Sequence, residues 1–218
     1  MPTTFTENPR DLAFLLSEAN GMLSREAITI LSGEGKLKAG TVLGKVAYGA
    51  VSTAAKSGGN TGNGTISAPT VVGGSGAKVG VYKLRFTAAT TWTLVDPDGF
   101  EVGSGANGVA NANDLAFTTT AGGTPFVAGD GFDITVAAGS GKYVASPHTI
   151  TTGKEGGEIA CAILAYEVDA TSADAPGVGI TNDAEVKKPM LVYAASVDDS
   201  TKQAAKLTQL RTVTIKAR

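Results

Sequence analysis

Histidine and cysteine each occur once in 218 residues, which leaves histidine- and cysteine-based catalysis or metal binding only one position of each kind. A Ser-His-Asp or Cys-His site would have to use His148. That residue follows Ser146-Pro147, a turn context, and no G-x-S-x-G elbow occurs in the chain. Cys161 lies in the apolar run Ile159 to Leu164, where a buried, inert thiol is expected. One Cys and one His cannot build a structural zinc site. A lone Cys also excludes an intrachain disulfide framework and suits assembly in a reducing cytoplasm. Aromatic residues are 6% of the chain, charged residues 17%, and the net charge is −2. No global electrostatic pull toward nucleic acid follows from that balance. No apolar run approaches the roughly 18 residues of a membrane span. The N-terminal MPTTFTENPRD has neither a basic n-region nor an apolar h-region, so it does not read as a signal peptide.

What the chain does hold is small and β-forming. There are 29 glycines, and Thr, Ala and Val recur throughout. Such a composition is too apolar for disorder and too glycine-rich for a helical protein. The length permits one large or two small domains. Small side chains must supply much of the core, so oligomerisation is a natural way to add buried surface.

Residues 1–23 read as an arm carrying an isolated apolar patch: Phe5, Leu12, Phe14, Leu15 and Leu16. Patches of that kind mark interaction sites. Asn8-Pro9-Arg10-Asp11 has the chemistry of a helix start, and Asn20-Gly21 that of a stop. A first β domain is expected over 24–56 and 142–218. Ala27 to Leu31 is a β-branched run, Ser32 to Gly35 a turn, and Val42 to Val46 a second apolar run. Near the end, Asp198 to Leu207 has acids leading and lysines trailing, as a short helix prefers, and Thr212 to Lys216 reads as a closing strand. Between the halves, residues 57–141 read as an inserted β domain, a sandwich or barrel. Its Gly-rich linkers are expected at Lys56–Gly64 and Gly139–Gly141. Strands are expected at Val79–Thr87, Thr91–Val95, Phe100–Val102, Asp114–Thr119 and Phe132–Val136. Asp96-Pro97-Asp98-Gly99 is a turn by its residue chemistry.

The remaining motifs carry little. Ala138-Gly139-Ser140-Gly141-Lys142-Tyr143 has the end of a phosphate loop, but Val136 stands where a glycine is required and Tyr143 where Ser or Thr is. Asp96 with Asp98, or Asp130 with Asp133, could offer oxygen ligands to calcium; no twelve-residue calcium loop is present, and Asp-Gly is ordinary turn chemistry. Asp98-Gly99-Phe100-Glu101-Val102 and Asp130-Gly131-Phe132-Asp133-Ile134 echo each other, but no longer repeat frames them. No catalytic residue, cofactor or metal ion is therefore expected. Trp92, Tyr82, Phe100 and Phe132 could serve a glycan- or host-binding module if exposed, but Trp92 and Leu94 share one strand face and read as core.

One resemblance gathers these features. Phe14-Leu15-Leu16-Ser17-Glu18-Ala19-Asn20-Gly21, then Ser24-Arg25-Glu26, then Ile28-Thr29-Ile30, then Lys36 to Val46 (KLKAGTVLGKV) resembles the phage head decoration proteins of the lambda protein D type. Cys161 to Thr171 (CAILAYEVDAT) is similar to a second block of that family, as is the helix followed by a last β-branched strand. The resemblance implies a mainly β, non-enzymatic structural protein on the outer surface of the phage head, with the major capsid protein as partner. It also implies a homotrimer, no nucleic-acid or membrane partner, and an extended N-terminal arm lying along the capsid. The alternative is the glycan or host-surface module carried by residues 57–141.

Overall fold

The computed structural model describes residues 10–218. Chain contacts divide them into two compact units, with the chain crossing between Ala47 and Tyr48 and back between Ser140 and Gly141. The first unit begins with strands β1 (Leu15–Glu18), β2 (Arg25–Ile30), β3 (Gly35–Leu37) and β4 (Val42–Lys45). The second contains β5 (Tyr48–Ala55), β6 (Thr65–Ile66), β7 (Thr70–Val71), β8 (Gly80–Phe86), β9 (Thr91–Val95), β10 (Glu101–Ala106), β11 (Ala110–Ala112), β12 (Leu115–Thr120) and β13 (Gly131–Ala138). The first unit resumes with β14 (Tyr143–Ala145), β15 (Ala160–Leu164), β16 (Val168–Ala170), β17 (Ala175–Ile180), β18 (Ala184–Val186), helix α1 (Ser200–Thr212) and β19 (Ile215–Ala217). The protein is mainly β, as its composition requires.

In the first unit, β14-β2-β17-β15-β4 close into a barrel. Its longest ladder is antiparallel, β17 on β2, from Arg25 opposite Ile180 to Ile30 opposite Ala175. Ile28, Ile30, Leu43, Ala162 and Leu164 are among the residues of one buried cluster. So narrow a barrel needs small residues, and the sequence supplies them: Ala160, Ala162, Ala165 and Ala170 are fully buried. At Gly44 a Cβ would lie 1.9 Å from the Gly157 carbonyl oxygen, so no other residue fits there. A second cluster packs Val42 and Ile163 against Phe14, Val186, Leu210 of α1 and Ile215 of β19. Asp199 caps α1 by accepting the Lys202 backbone N–H at 2.8 Å.

In the second unit, one sheet runs β10-β9-β8-β13-β5, and a second runs β11-β12-β6, with β7 also on β12. Alternation places Tyr82, Leu84 and Phe86 of β8 and Trp92 and Leu94 of β9 on the inner face, all buried. Phe86 and Phe126 stack with ring centroids 3.9 Å apart, and Trp92 meets Phe117 of the second sheet at 5.2 Å. This is the sandwich form of the two expected possibilities, a pair of sheets sharing one aromatic core.

Three expectations change. The segment around residues 15–18 is neither helical nor a free extended arm: it pairs antiparallel with β18, Leu15 opposite Val186 and Glu18 opposite Ala184. The segment Lys56–Gly64, flexible by composition, is anchored. Asn60 Oδ1 accepts the Gly131 N–H, and the Thr61 and Gly62 N–H groups both donate to Asp130, each at 2.9 Å. Compositional flexibility lost to a buried carboxylate some seventy positions away. The strand Tyr48–Ala55, expected with the first β domain, lies in the second unit and pairs with β13.

Candidate interaction surface

Most of the groups that could have carried chemistry are paired or bonded elsewhere. His148 is exposed, and its backbone N–H donates to Ser196 Oγ. Cys161 sits on β15, half-buried, and burial pushes its thiol pKa up, away from a reactive thiolate. Asp96 and Asp98 each take the Lys78 ammonium at 2.6 Å. The Lys78 hydrogen bond holds the Asp96 carboxyl below the usual range. Asp133 pairs with Arg85. Burial works against the charge of Asp130, yet three backbone N–H groups, from Thr61, Gly62 and Val127, keep its carboxyl below the ordinary value. Among the described residues no three His, Cys, Asp or Glu side chains cluster as a metal site would require. Of the four aromatics that a glycan site could use, Trp92, Tyr82 and Phe132 are core residues. Phe100 is exposed, and the Lys78 ammonium lies 5.6 Å from its ring centre.

The apolar N-terminal segment is the exception. Its expected patch splits between the core and the surface. Phe5 lies outside the described residues. Phe14 is 2% exposed and belongs to the unit's own core, with Leu12 and Leu15 packed partly against it. A free arm could not have buried Phe14; pairing of β1 with β18 carries the side chain inward. Leu16 points the other way and is 48% exposed. Two residues that the sequence did not single out join it on the surface: Met22 at 80% and Leu23 at 69%. Their signal was available, an apolar pair in the turn between Gly21 and Ser24, but it was merged into the arm.

Charge frames this surface. Arg25 grips Glu18 through both guanidinium arms, at 2.8 and 2.6 Å, and donates to the Tyr166 hydroxyl at 3.2 Å. The hydrogen bond from Arg25 lowers the Glu18 carboxyl pKa, and Glu18 raises that of Arg25. A cleft of about 250 Å³ opens beside the pair, lined by Met22, Arg25, Glu26, Ala27, Tyr166 and Val178. β1 is itself an outer strand of the sheet β1-β18-β19, and such an edge offers main-chain groups to a partner.

A family model described as Bacteriophage lambda head decoration protein D matches residues 4–215. No curated protein sequence matches the chain significantly. Among solved structures, the flagellar protein FlgL of Xanthomonas campestris is 25% identical over 45% of this chain and 33% of that one, with a TM-score of 0.34. A second crystal form of FlgL gives 26% identity, 45% and 32% coverage, and the same TM-score. The flagellar hook junction protein FlgK of Burkholderia pseudomallei is 25% identical over 58% of this chain and 21% of that one, with a TM-score of 0.33. The chain thus spans about a third of FlgL and a fifth of FlgK. TM-scores of that size do not establish a shared fold.

Proposed function

The chain belongs to the phage lambda head decoration protein D family, and from that premise we propose that it cements an expanded phage head from outside, binding the major capsid protein and tying neighbouring capsid subunits together. The family is structural and decorates the head. The observation that supports a capsid contact at the N-terminal end is the exposed set Leu16, Met22 and Leu23 beside the outer strand β1. Residues of this kind gain from burial at about 25 cal/mol per Å² of apolar area. Phe5 and Leu16 act as contact residues in this reading, while Phe14, Leu12 and Leu15 hold the contact strand in place. An extended capsid segment adding to the edge of β1 would bring main-chain hydrogen bonds as well. Three copies assembled as a homotrimer raise the effective concentration of each contact, so individually weak sites add.

The test is a binding titration against expanded and unexpanded heads. Leu16→Ala combined with Met22→Ser and Leu23→Ser should weaken binding to expanded heads without lowering thermal stability. Phe14→Ala should instead destabilise the free protein by about 3–5 kcal/mol, the cost of emptying a core aromatic site. Unchanged affinity of the triple variant would place the footprint elsewhere. Light scattering on the free protein measures the trimer directly.

A further inference from the structure

Three buried polar side-chain atoms of the second unit have no hydrogen-bond partner among the described residues: Trp92 Nε1, Thr119 Oγ1 and Asn107 Oδ1. Trp92 is 2% exposed and Thr119 0%, so bulk solvent does not reach them. The topology brings them to one end of the sandwich. Trp92 lies opposite Gly105 across the β9–β10 ladder, and a Cβ on Gly105 would stand 2.5 Å from the indole Cζ2. The indole therefore lies directly over that glycine. Asn107 stands in the turn that follows β10, two positions after Gly105. Its backbone N–H donates to Thr90 and its Nδ2 to the Ala89 carbonyl at 3.2 Å. Those bonds fix the carboxamide and leave Oδ1 as the free acceptor. Across the core, Leu115, Phe117 and Thr119 share the inner face of β12. Phe117 touches the indole, and Thr119 stands beside the Asn107-Gly108 turn, its carbonyl accepting the Gly108 N–H at 2.8 Å.

Unpaired buried polar groups are costly, and the contacts above let one partner serve all three. The indole N–H can only donate, the carboxamide oxygen can only accept, and the threonine hydroxyl can do either. One water molecule matches that set: it accepts from the indole and gives its two protons to Asn107 Oδ1 and Thr119 Oγ1. We propose that the second unit binds a single internal water here, as a structural ligand joining its two sheets. An internal water with three hydrogen bonds is of the usual kind.

Trp92 is the only tryptophan, so its indole N–H gives one unambiguous ¹H–¹⁵N signal. In the wild-type protein a nuclear Overhauser cross-peak should connect that proton to water. Thr119→Ser, which keeps the hydroxyl, should retain it. Asn107→Ala and Thr119→Val should each abolish it and shift the indole proton upfield. Asn107→Ala also separates a bound water from magnetisation relayed through the Thr119 hydroxyl, because only the relay survives that change. Absence of the cross-peak in wild type, its persistence in Asn107→Ala, or a contact from the indole proton to Asn107 alone would overturn the assignment.

Discussion

Asp130 shows how much one side chain can organise. Its two carboxylate oxygens take backbone N–H groups from Thr61, Gly62 and Val127, and its burial leaves no solvent to replace them. Removing the carboxylate would strand these donors at about 1–3 kcal/mol each where they stay buried. The charged form is favoured in the folded state, so the group binds its proton less readily folded than unfolded. Its contribution is complete above the ordinary carboxylate value of 3.8 and fades as the pH falls through the lower folded value. Urea titrations of wild type and Asp130→Asn should show the variant less stable at pH 7, with the gap narrowing as the pH is lowered below 4. Equal stability at neutral pH would mean that the loop 60–64 is held by other contacts. Lys206 shows the opposite balance: burial lowers its pKa to about 8, while Ser146 Oγ at 2.9 Å, the Pro147 carbonyl at 2.5 Å and the Glu158 carbonyl accept its protons. The ammonium is tolerated inside because every proton has an oxygen to meet.

At the level of elements, the strands that alternate were legible and the strands that pair at a distance were not. Val79–Thr87 and Thr91–Val95 carry period-two patterns, and the structure has β8 and β9 there, with Trp92 and Leu94 inward as expected. β1 offered no such pattern: four residues, LLSE, gain their place from β18, some 170 positions later. Nothing local announces such a partner, so Phe14 and Leu16 looked equally free although one is buried and the other exposed. The linker reading failed for the same reason, since Gly and Asn composition is silent about Asp130. The C-terminal helix was visible from its charge order but extended further than the charges did, to Thr212, because Leu210 has a core to enter. Its cap is testable: Asp199→Ala should lower the urea midpoint of the first unit, and Asp199→Ser, which preserves an acceptor for the Lys202 N–H, should restore most of it. A midpoint unmoved by alanine would show that Asp198, paired with Lys202 at 2.5 Å, holds the helix start alone.

The whole molecule consists of two units with separate cores. Most of the buried aromatic side chains lie in the second, whereas the clusters of the first are mainly alanine and aliphatic residues, with Phe14 and Tyr143 among them. We propose that the second unit is an insertion that folds by itself and that the first suffices for the head. Deleting residues 48–140 in favour of a short Gly-Ser bridge should leave a folded protein that still binds expanded heads, and residues 48–140 expressed alone should give a cooperative thermal transition. Loss of folding in both fragments would make the two units one cooperative body.

The chain crosses between the units at two points that are already bonded together on the first unit's side: Val46 N–H donates to the Lys142 carbonyl, and Gly141 N–H to the Val46 carbonyl, at 2.9 and 3.0 Å. To the barrel, everything between them is a closed loop whose ends meet. The entropy of closing a loop grows only with the logarithm of its length, roughly 0.6 kcal/mol per doubling. Lengthening this loop from a few residues to many tens therefore costs the barrel only a few kcal/mol. A clasp of this kind makes the position a ready graft point, where a foreign domain with adjacent termini can replace residues 48–140 without redesigning the barrel.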